Sequence, residues 1–461
     1  MPELILPKEL IAKMDKAGPR YTSYPTADKF NSSYNEQTHK NTLSLLEKDA
    51  TNEINSLYFH IPFCKSVCFY CACNKVITMH QYRADSYVDI LLKEIALVSS
   101  HFDKKIKVGQ IHFGGGTPTY ISDEQIAKIL LEVKKYFDVT EDLECGIEID
   151  PRTVDHKRLI YLQTLGFNRI SIGVQDFDGD VQKAVHRIQP FRQVAELYLT
   201  AKKLGIPSIN MDMIYGLPKQ TEETFSHSLE TLLDLRPDRV ALYAYAHIPE
   251  RFKPQRRINE EDLPSADERL KLLSMAIYEL TKAGYIYIGM DHFALPDDPL
   301  AIAKKRGELQ RNFQGYSTHA KSNLIAFGVS AISHINGHYA QNHKELDDYV
   351  EAVEQNKLPT LRGYSLSKDD LLRNEVIMQL MCKGKISFTE IEDKYSINFQ
   401  TYFSRELLKI NSLVEEELCV LNSDSLEVTT KGWFLIRAIA MQFDKYLQQK
   451  QVRLIKFSKI V

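Results

Sequence analysis

Beyond residue 50 the chain alternates short apolar runs with longer charged segments, and that alternation leaves few folds open. The runs Ser56–His60, Val108–Phe113, Glu144–Ile149, Arg169–Val174, Ser208–Ile214 and Arg239–Tyr245 are rich in β-branched and aromatic residues and read as strands. Segments with helical spacing follow them. Ala84–Ser99 places Ala84, Tyr87, Val88, Leu91 and Leu92 on one face. Asp123–Phe137 does the same with Ile126, Ile129, Leu130 and Val133, and Ser122 or Asp123 can cap it. Six repeats of strand then helix predict parallel strands with crossover helices. No reversal interrupts the series, so the expected fold class is α/β: an open (partial) TIM-like β/α barrel.

Composition permits a large core, with 44% hydrophobic and 26% charged residues in 461. Residues 1–50 form a separate N-terminal arm, rich in aromatics and turn formers around Gly18–Thr26. Residues 51–364 form the barrel and its extension. Residues 365–461 form a mostly helical C-terminal domain, with amphipathic helices over Leu371–Met381 and Trp433–Tyr446. The stretch Leu426–Gly432 resembles a strand and turn, giving a winged-helix-like unit. A net charge of −3 and the lack of a basic stripe argue against nucleic acid and anionic lipid as partners. No apolar stretch approaches the ~20 residues that cross a bilayer, and Met1–Glu9 lacks the pattern of a secretory signal. A cytoplasmic location is expected.

Four of the seven cysteines fall in one run, Cys64-Lys-Ser-Val-Cys68-Phe-Tyr-Cys71-Ala-Cys73. Thiolates this close repel unless a metal neutralises them, and soft sulfur ligands favour iron–sulfur clusters, zinc or copper(I). Structural zinc generally uses two separated pairs. Here Cys145, Cys382 and Cys419 stand alone and read as small core residues. Disulfides belong mainly to small secreted domains. The spacing C-x3-C-x2-C of Cys64, Cys68 and Cys71 lets one loop wrap three irons of a cubane and leave the fourth iron open. Cys73 is poorly placed to reach the same cluster while Cys71 is bound, although spacing alone does not forbid it.

In barrels of this kind the chemistry gathers at the C-terminal strand ends. The cysteine loop follows the first strand and Gly114-Gly115-Gly116-Thr117-Pro118 the second. Glu148 and Asp150 end the third, Gln175 and Asp176 the fourth, Asp212–Gly216 the fifth, and Ala246-His247 the sixth. All converge on one mouth. An open iron on a low-potential cluster can hold a chelating sulfonium ligand and pass it an electron, releasing a carbon radical. Glycines let backbone approach an ammonium group. Glu148 offers an acceptor for ribose hydroxyls, and Phe69 and Tyr70 offer rings to stack an adenine or shield the cluster. His60, His112, His247 and His292 read as packing or hydrogen-bonding histidines.

With these residues in view, the chain resembles the radical S-adenosylmethionine superfamily. Within it, the chain is similar to the oxygen-independent coproporphyrinogen III dehydrogenase (oxidase) family of haem biosynthesis. The likeness spans essentially the whole length. It rests on Pro19–Thr26, Tyr58–Cys64, the cysteine run, Phe113–Thr119, Ile147–Pro151, Gly173–Phe177 and Tyr215–Gln220. It continues through Tyr245–His247, Gly289–Phe293, Arg311–Tyr316 and Val329–Ser333.

The resemblance implies a [4Fe-4S] cluster on Cys64, Cys68 and Cys71. It implies one S-adenosylmethionine contacted by Tyr58, Gly115, Glu148, Ala246 and Ile332. A second S-adenosylmethionine would meet Tyr70, Gly116, Thr117, Gln175, Arg187 and Asp212. Tyr58, Cys73 and Arg187 carry over as catalytic residues. The implied reaction converts two propionates of coproporphyrinogen III to vinyl groups, giving protoporphyrinogen IX. The implied partners are the tetrapyrrole, an electron donor and an electron acceptor, with the protein a monomer.

A substrate with four carboxylates calls for arginine, and Arg20, Arg187 and the run Arg251–Arg257 are candidates. Departures from the family pattern fall in Ser317–Asn323, where an acidic residue is usual, and at Ala326, where glycine is common. Two related activities share the core: a haem-binding chaperone and an anaerobic haem-degrading methyltransferase. The chaperones usually lack the fourth cysteine and the aromatic arm, both present here as Cys73 and Arg20–Pro25.

Overall fold

The computed structural model describes residues 8–14, 16–46, 54–318 and 322–448. Parallel strands β1 (Asn55–Ile61), β2 (Lys107–Gly115), β3 (Asp138–Ile149), β4 (Arg169–Gln175), β5 (Ser208–Tyr215) and β6 (Arg239–Ala244) appear where the apolar runs predict them. They pair in that order. Between them lie α1 (Tyr82–Ser99), α2 (Asp123–Tyr136), α3 (His156–Thr164), α4 (Phe191–Lys203) and α5 (Glu222–Leu235). Ser122 caps α2 through a capping box: its hydroxyl accepts from Gln125 N at 3.2 Å, and Gln125 Oε1 accepts from Ser122 N at 2.8 Å.

The sheet does not close. On its far side β1 pairs with β7 (Leu324–Phe327), again in parallel. The strands β8 (Ile332–Ile335), β9 (His338–Asn342) and β10 (Thr360–Ser365) then continue as an antiparallel meander. Among these ten strands the order is therefore β10-β9-β8-β7-β1-β2-β3-β4-β5-β6, open and mixed. Alternation along each strand divides its side chains between two faces. On one face Phe59 stacks between Phe113 at 5.0 Å and Phe327 at 5.1 Å, joining three strands. The neighbouring positions Tyr58, His60 and His112 turn the other way.

The chain forms two compact units. The sheet just described belongs to the unit of Phe30–Pro264 and Lys321–Ser365. Met1–Lys29, Ser265–Ala320 and Leu366–Val461 make up the other, so the arm contributes residues to both. In this second unit Tyr21 and Tyr24 are fully buried among helices of the C-terminal region. The helix Lys368–Lys383 precedes a three-stranded antiparallel sheet of Lys385–Ser387, Cys419–Leu421 and Ser425–Val428.

The expected helix over Trp433–Tyr446 is broken into Thr430–Trp433, Ile436–Ala440, a 3-10 turn at Met441–Phe443, and Lys445–Gln448. Buried polar groups explain the break. Arg437 donates to the carbonyls of Gly18 and Pro19. Buried Asp444 accepts from Tyr21 Oη at 3.0 Å and from the backbone N–H of Tyr446 at 2.9 Å, starting a new turn. Cys145, Cys382 and Cys419 are free and buried. No helix among the described residues is long and apolar enough to cross a membrane.

Glu94 of α1 ties the late strands to the first helix. Its carboxylate accepts from Gly328 N at 2.7 Å, Tyr349 Oη at 2.7 Å and Asn342 Nδ2 at 2.6 Å. Burial raises its pKa to about 7 against those three donors. Glu94→Ala should cost about 2–4 kcal/mol in urea unfolding, because buried donors lose their acceptor. A raised folded-state pKa contributes stability at low pH that is lost as pH rises through 7. The gap between wild type and variant should therefore be widest near pH 4.5 and narrow towards pH 8.

Candidate active site

The C-terminal ends of β1 to β6 surround a cavity of about 630 Å³. Cys64, Cys68, Cys71, Cys73, Tyr70, Gly115, Gly116, Thr117, Glu148, Gln175, Arg187, Asp212 and Ala246 all line it. Of the residues that the resemblance assigns to metal, cofactor and catalysis, Tyr58 and Ile332 do not. The Tyr58 hydroxyl lies behind the glycine loop, hydrogen-bonded to His60 Nδ1 at 3.2 Å, with its ring stacked on His112. Ile332 sits half-buried on β8, beyond β7.

The cysteine loop is anchored at both ends. Phe63–Cys64 pairs in parallel with Val76–Ile77. Thr117 Oγ1 donates to Cys64 Sγ at 3.3 Å. Buried Cys68 Sγ accepts from Arg187 Nη1 at 3.4 Å and Arg152 Nη2 at 3.6 Å. Burial raises the Cys64 thiol to about 11. Cys71 is drawn down to about 6, first by a hydrogen bond from the Cys73 thiol and then by Lys75, against its burial. That same hydrogen bond, with the charge on Cys71, pushes the Cys73 thiol up.

Among the described residues, no three His, Cys, Asp or Glu side chains converge on a single-ion site. Three thiols facing one cavity suit a cluster, which would offer each thiolate its own iron. Guanidinium donors on Cys68 suit an anionic sulfur. The residues present therefore fit a [4Fe-4S] group.

Glycine is required in the loop after β2. A Cβ on Gly116 would stand 2.6 Å from the Pro62 carbonyl oxygen, and Gly115 has φ +116°. Gly115 N points into the site and donates to Glu148 Oε2 at 3.2 Å. Asp212 is held by Asn210 Nδ2 at 2.7 Å and Ser171 Oγ at 3.1 Å. Burial, with the nearby Glu148 charge, raises it to about 7. Asp176 accepts from Ser228, Gln220 and the Asp178 N–H, and burial lifts it to about 6.

Arg152 and Gln255 escaped the sequence reading, and Asp150 was noted there only as a strand end. Asp150 accepts from Arg152 Nε at 2.9 Å and Nη2 at 2.6 Å, and from Arg187 Nη1 at 3.2 Å. Burial opposes its ionisation, but the two guanidiniums hold its pKa below the usual value. Arg187 Nη2 also donates to Gly173 O at 2.6 Å. The available signal for Arg152 was its position two residues after a strand-end acid. Gln255 is fully buried and donates to the carbonyls of Tyr70 and Ala246, both at 3.1 Å, while Ile248 N donates to it at 2.6 Å.

Other sequence candidates lie as follows. Arg257 covers the Phe69 ring at 5.4 Å, and Arg256 donates to Pro249 O. Arg20 forms an ion pair with Asp291. His319–Lys321 of the departing segment lie outside the described residues. Its end is structural: Ser322 and Ser56 hydroxyls meet at 3.1 Å, and Asn323 Oδ1 accepts from Asn336 N. Ala326 is buried in β7 opposite Tyr58.

Residues 58–232 match the model of the radical SAM superfamily, and residues 366–435 match that of the HemN C-terminal domain. An oxygen-independent coproporphyrinogen III oxidase of Pseudomonas aeruginosa is 43% identical, over 98% of each chain. One of Escherichia coli K12 is 42% identical, also over 98% of each. The chain belongs to this oxidase family.

The solved structure of coproporphyrinogen III oxidase (HemN) from Escherichia coli, described as a radical SAM enzyme, superposes with a TM-score of 0.90. It is 41% identical and covers 96% of this chain and 100% of its own. The family implies a [4Fe-4S] cluster and S-adenosylmethionine.

Gln255→Leu should loosen the cysteine loop without unfolding the sheet, because the Tyr70 and Ala246 carbonyls lose their donor. Amide exchange followed by mass spectrometry should show residues 66–73 exchanging about tenfold faster, with β2 and β3 unchanged.

Proposed function

We propose that this chain oxidatively decarboxylates two propionate side chains of coproporphyrinogen III to vinyl groups, yielding protoporphyrinogen IX without dioxygen in haem biosynthesis. One observation carries the reading. A three-thiol loop, a glycine loop and buried acids share a cavity in a chain that matches a coproporphyrinogen III oxidase over 98% of its length. When bound, the cluster and S-adenosylmethionine supply an electron and a carbon radical able to take a hydrogen atom.

In this proposal Cys64, Cys68 and Cys71 each hold one iron. Gly115 presents backbone to the first S-adenosylmethionine and Glu148 accepts its ribose hydroxyls, with Tyr58, Ala246 and Ile332 completing that site. A second S-adenosylmethionine takes Tyr70, Gly116, Thr117, Gln175, Arg187 and Asp212. Arg187 also holds positive charge beside Cys68. Tyr58, Cys73 and Arg187 act in catalysis.

An unactivated propionate has no group to stabilise a carbanion, so a radical route is the workable one. Removal of hydrogen from the carbon next to the carboxylate-bearing one is followed by loss of carbon dioxide. One electron is left for an acceptor. We place the enzyme in the cytoplasm as a monomer, served by separate electron donor and acceptor partners. We assign residues 1–50 as an arm, 51–364 as the catalytic core and 365–461 as a covering domain.

Anaerobic protein supplied with reductant, S-adenosylmethionine, a one-electron acceptor and coproporphyrinogen III should release two carbon dioxide per tetrapyrrole. Tight haem binding with no turnover would overturn the assignment. Cys68→Ser should lose both the brown chromophore and turnover; full iron content and activity would remove Cys68 from the ligand set. Cys73→Ser should keep the iron and acid-labile sulfide of the wild type while turnover falls, and iron loss would make Cys73 a ligand.

A further inference from the structure

The unit built from Ser265–Ala320 and the C-terminal region contains a second cavity, of about 430 Å³, that shares no residue with the cysteine site. Its size falls within the range of small-molecule pockets. Its walls are aromatic: Tyr278, Tyr285, Tyr287, Trp433 and Phe434 all face it. The Tyr287 and Phe434 rings stack at 4.7 Å.

Lys304 enters this wall. Its Nζ lies 3.8 Å from the Trp433 ring centroid and donates to the carbonyls of Tyr287 at 2.6 Å and Ile288 at 2.9 Å. An ammonium has three donors, so one N–H remains beyond these two. No carboxylate pairs with Lys304 among the described residues. Two carbonyls and the Trp433 face offset part of the cost of this half-buried cation, and an anion would complete its pairing. Burial lowers its pKa to about 8, which leaves it mainly protonated at neutral pH.

We infer that this pocket binds a planar aromatic acid. The ring lies among Trp433, Phe434 and Tyr287, and the acid group takes the remaining N–H of Lys304. Aromatic walls supply area at small entropic cost, and the lysine supplies orientation.

Trp433 is the only tryptophan in the chain, so its fluorescence reports on this pocket alone. The probes are 2-naphthoate and its neutral counterpart 2-naphthalenemethanol, titrated into the full-length protein. Naphthoate should change Trp433 emission saturably and bind at least about tenfold more tightly than the alcohol, the effect of a charge-assisted hydrogen bond. Lys304→Met should abolish that preference. Ile286→Glu, on an exposed rim position, should weaken naphthoate more than the alcohol and keeps the test open if Lys304→Met fails to fold. No saturable change at millimolar naphthoate, or equal binding of acid and alcohol by the wild type, would overturn the inference.

Discussion

Thiol groups crowded into a ten-residue loop are the constraint from which this structure follows. As thiolates, Cys64, Cys68 and Cys71 would need cations close by. The fold provides them in two ways. Iron would bind from the cavity side. On the wall of the same cavity, Arg152 and Arg187 reach Cys68 and are themselves held by Asp150. A buried arginine pair without Asp150 would repel; a buried carboxylate without the arginines would be protonated. The triad is stable only as a set, and each member comes from the end of a strand or the loop after it.

That arrangement explains why the parallel sheet matters to chemistry. Strand ends in such a sheet lie side by side, so residues far apart in sequence become neighbours through register alone. Gly173 sits opposite Asp212, and Glu148 opposite Ser171. The alternating side-chain directions send Phe59, Phe113 and Phe327 one way and Tyr58, His60 and His112 the other. One strand thus serves the phenylalanine layer on one face and, on the other, the contacts of Tyr58 with His60 and His112.

Much of this was legible in the sequence because it is local. Strands such as β5, buried along nearly all its length, read as continuous apolar runs. The cysteines and glycines announce themselves by spacing. What stayed hidden depends on distant partners. Gln255 has no signature, since its value lies in meeting the backbone of Tyr70, and Arg152 becomes informative only once Cys68 is beside it. The region from Trp433 to Tyr446 misled for another reason. Its apolar residues pack on several sides, so helical periodicity survives although buried Arg437 and Asp444 interrupt the backbone. The pairing of β7 with β1 was equally invisible, because it joins residues across most of the chain, whereas β7 to β10 pair locally with one another.

The position of β7 has a consequence for biogenesis. Leu324–Phe327 pairs directly with Ser56–Phe59, so the strand that carries the cysteine loop keeps a bare edge until the ribosome has emitted most of the polypeptide. Non-local pairing of this kind is slow and leaves a nascent sheet open to wrong partners.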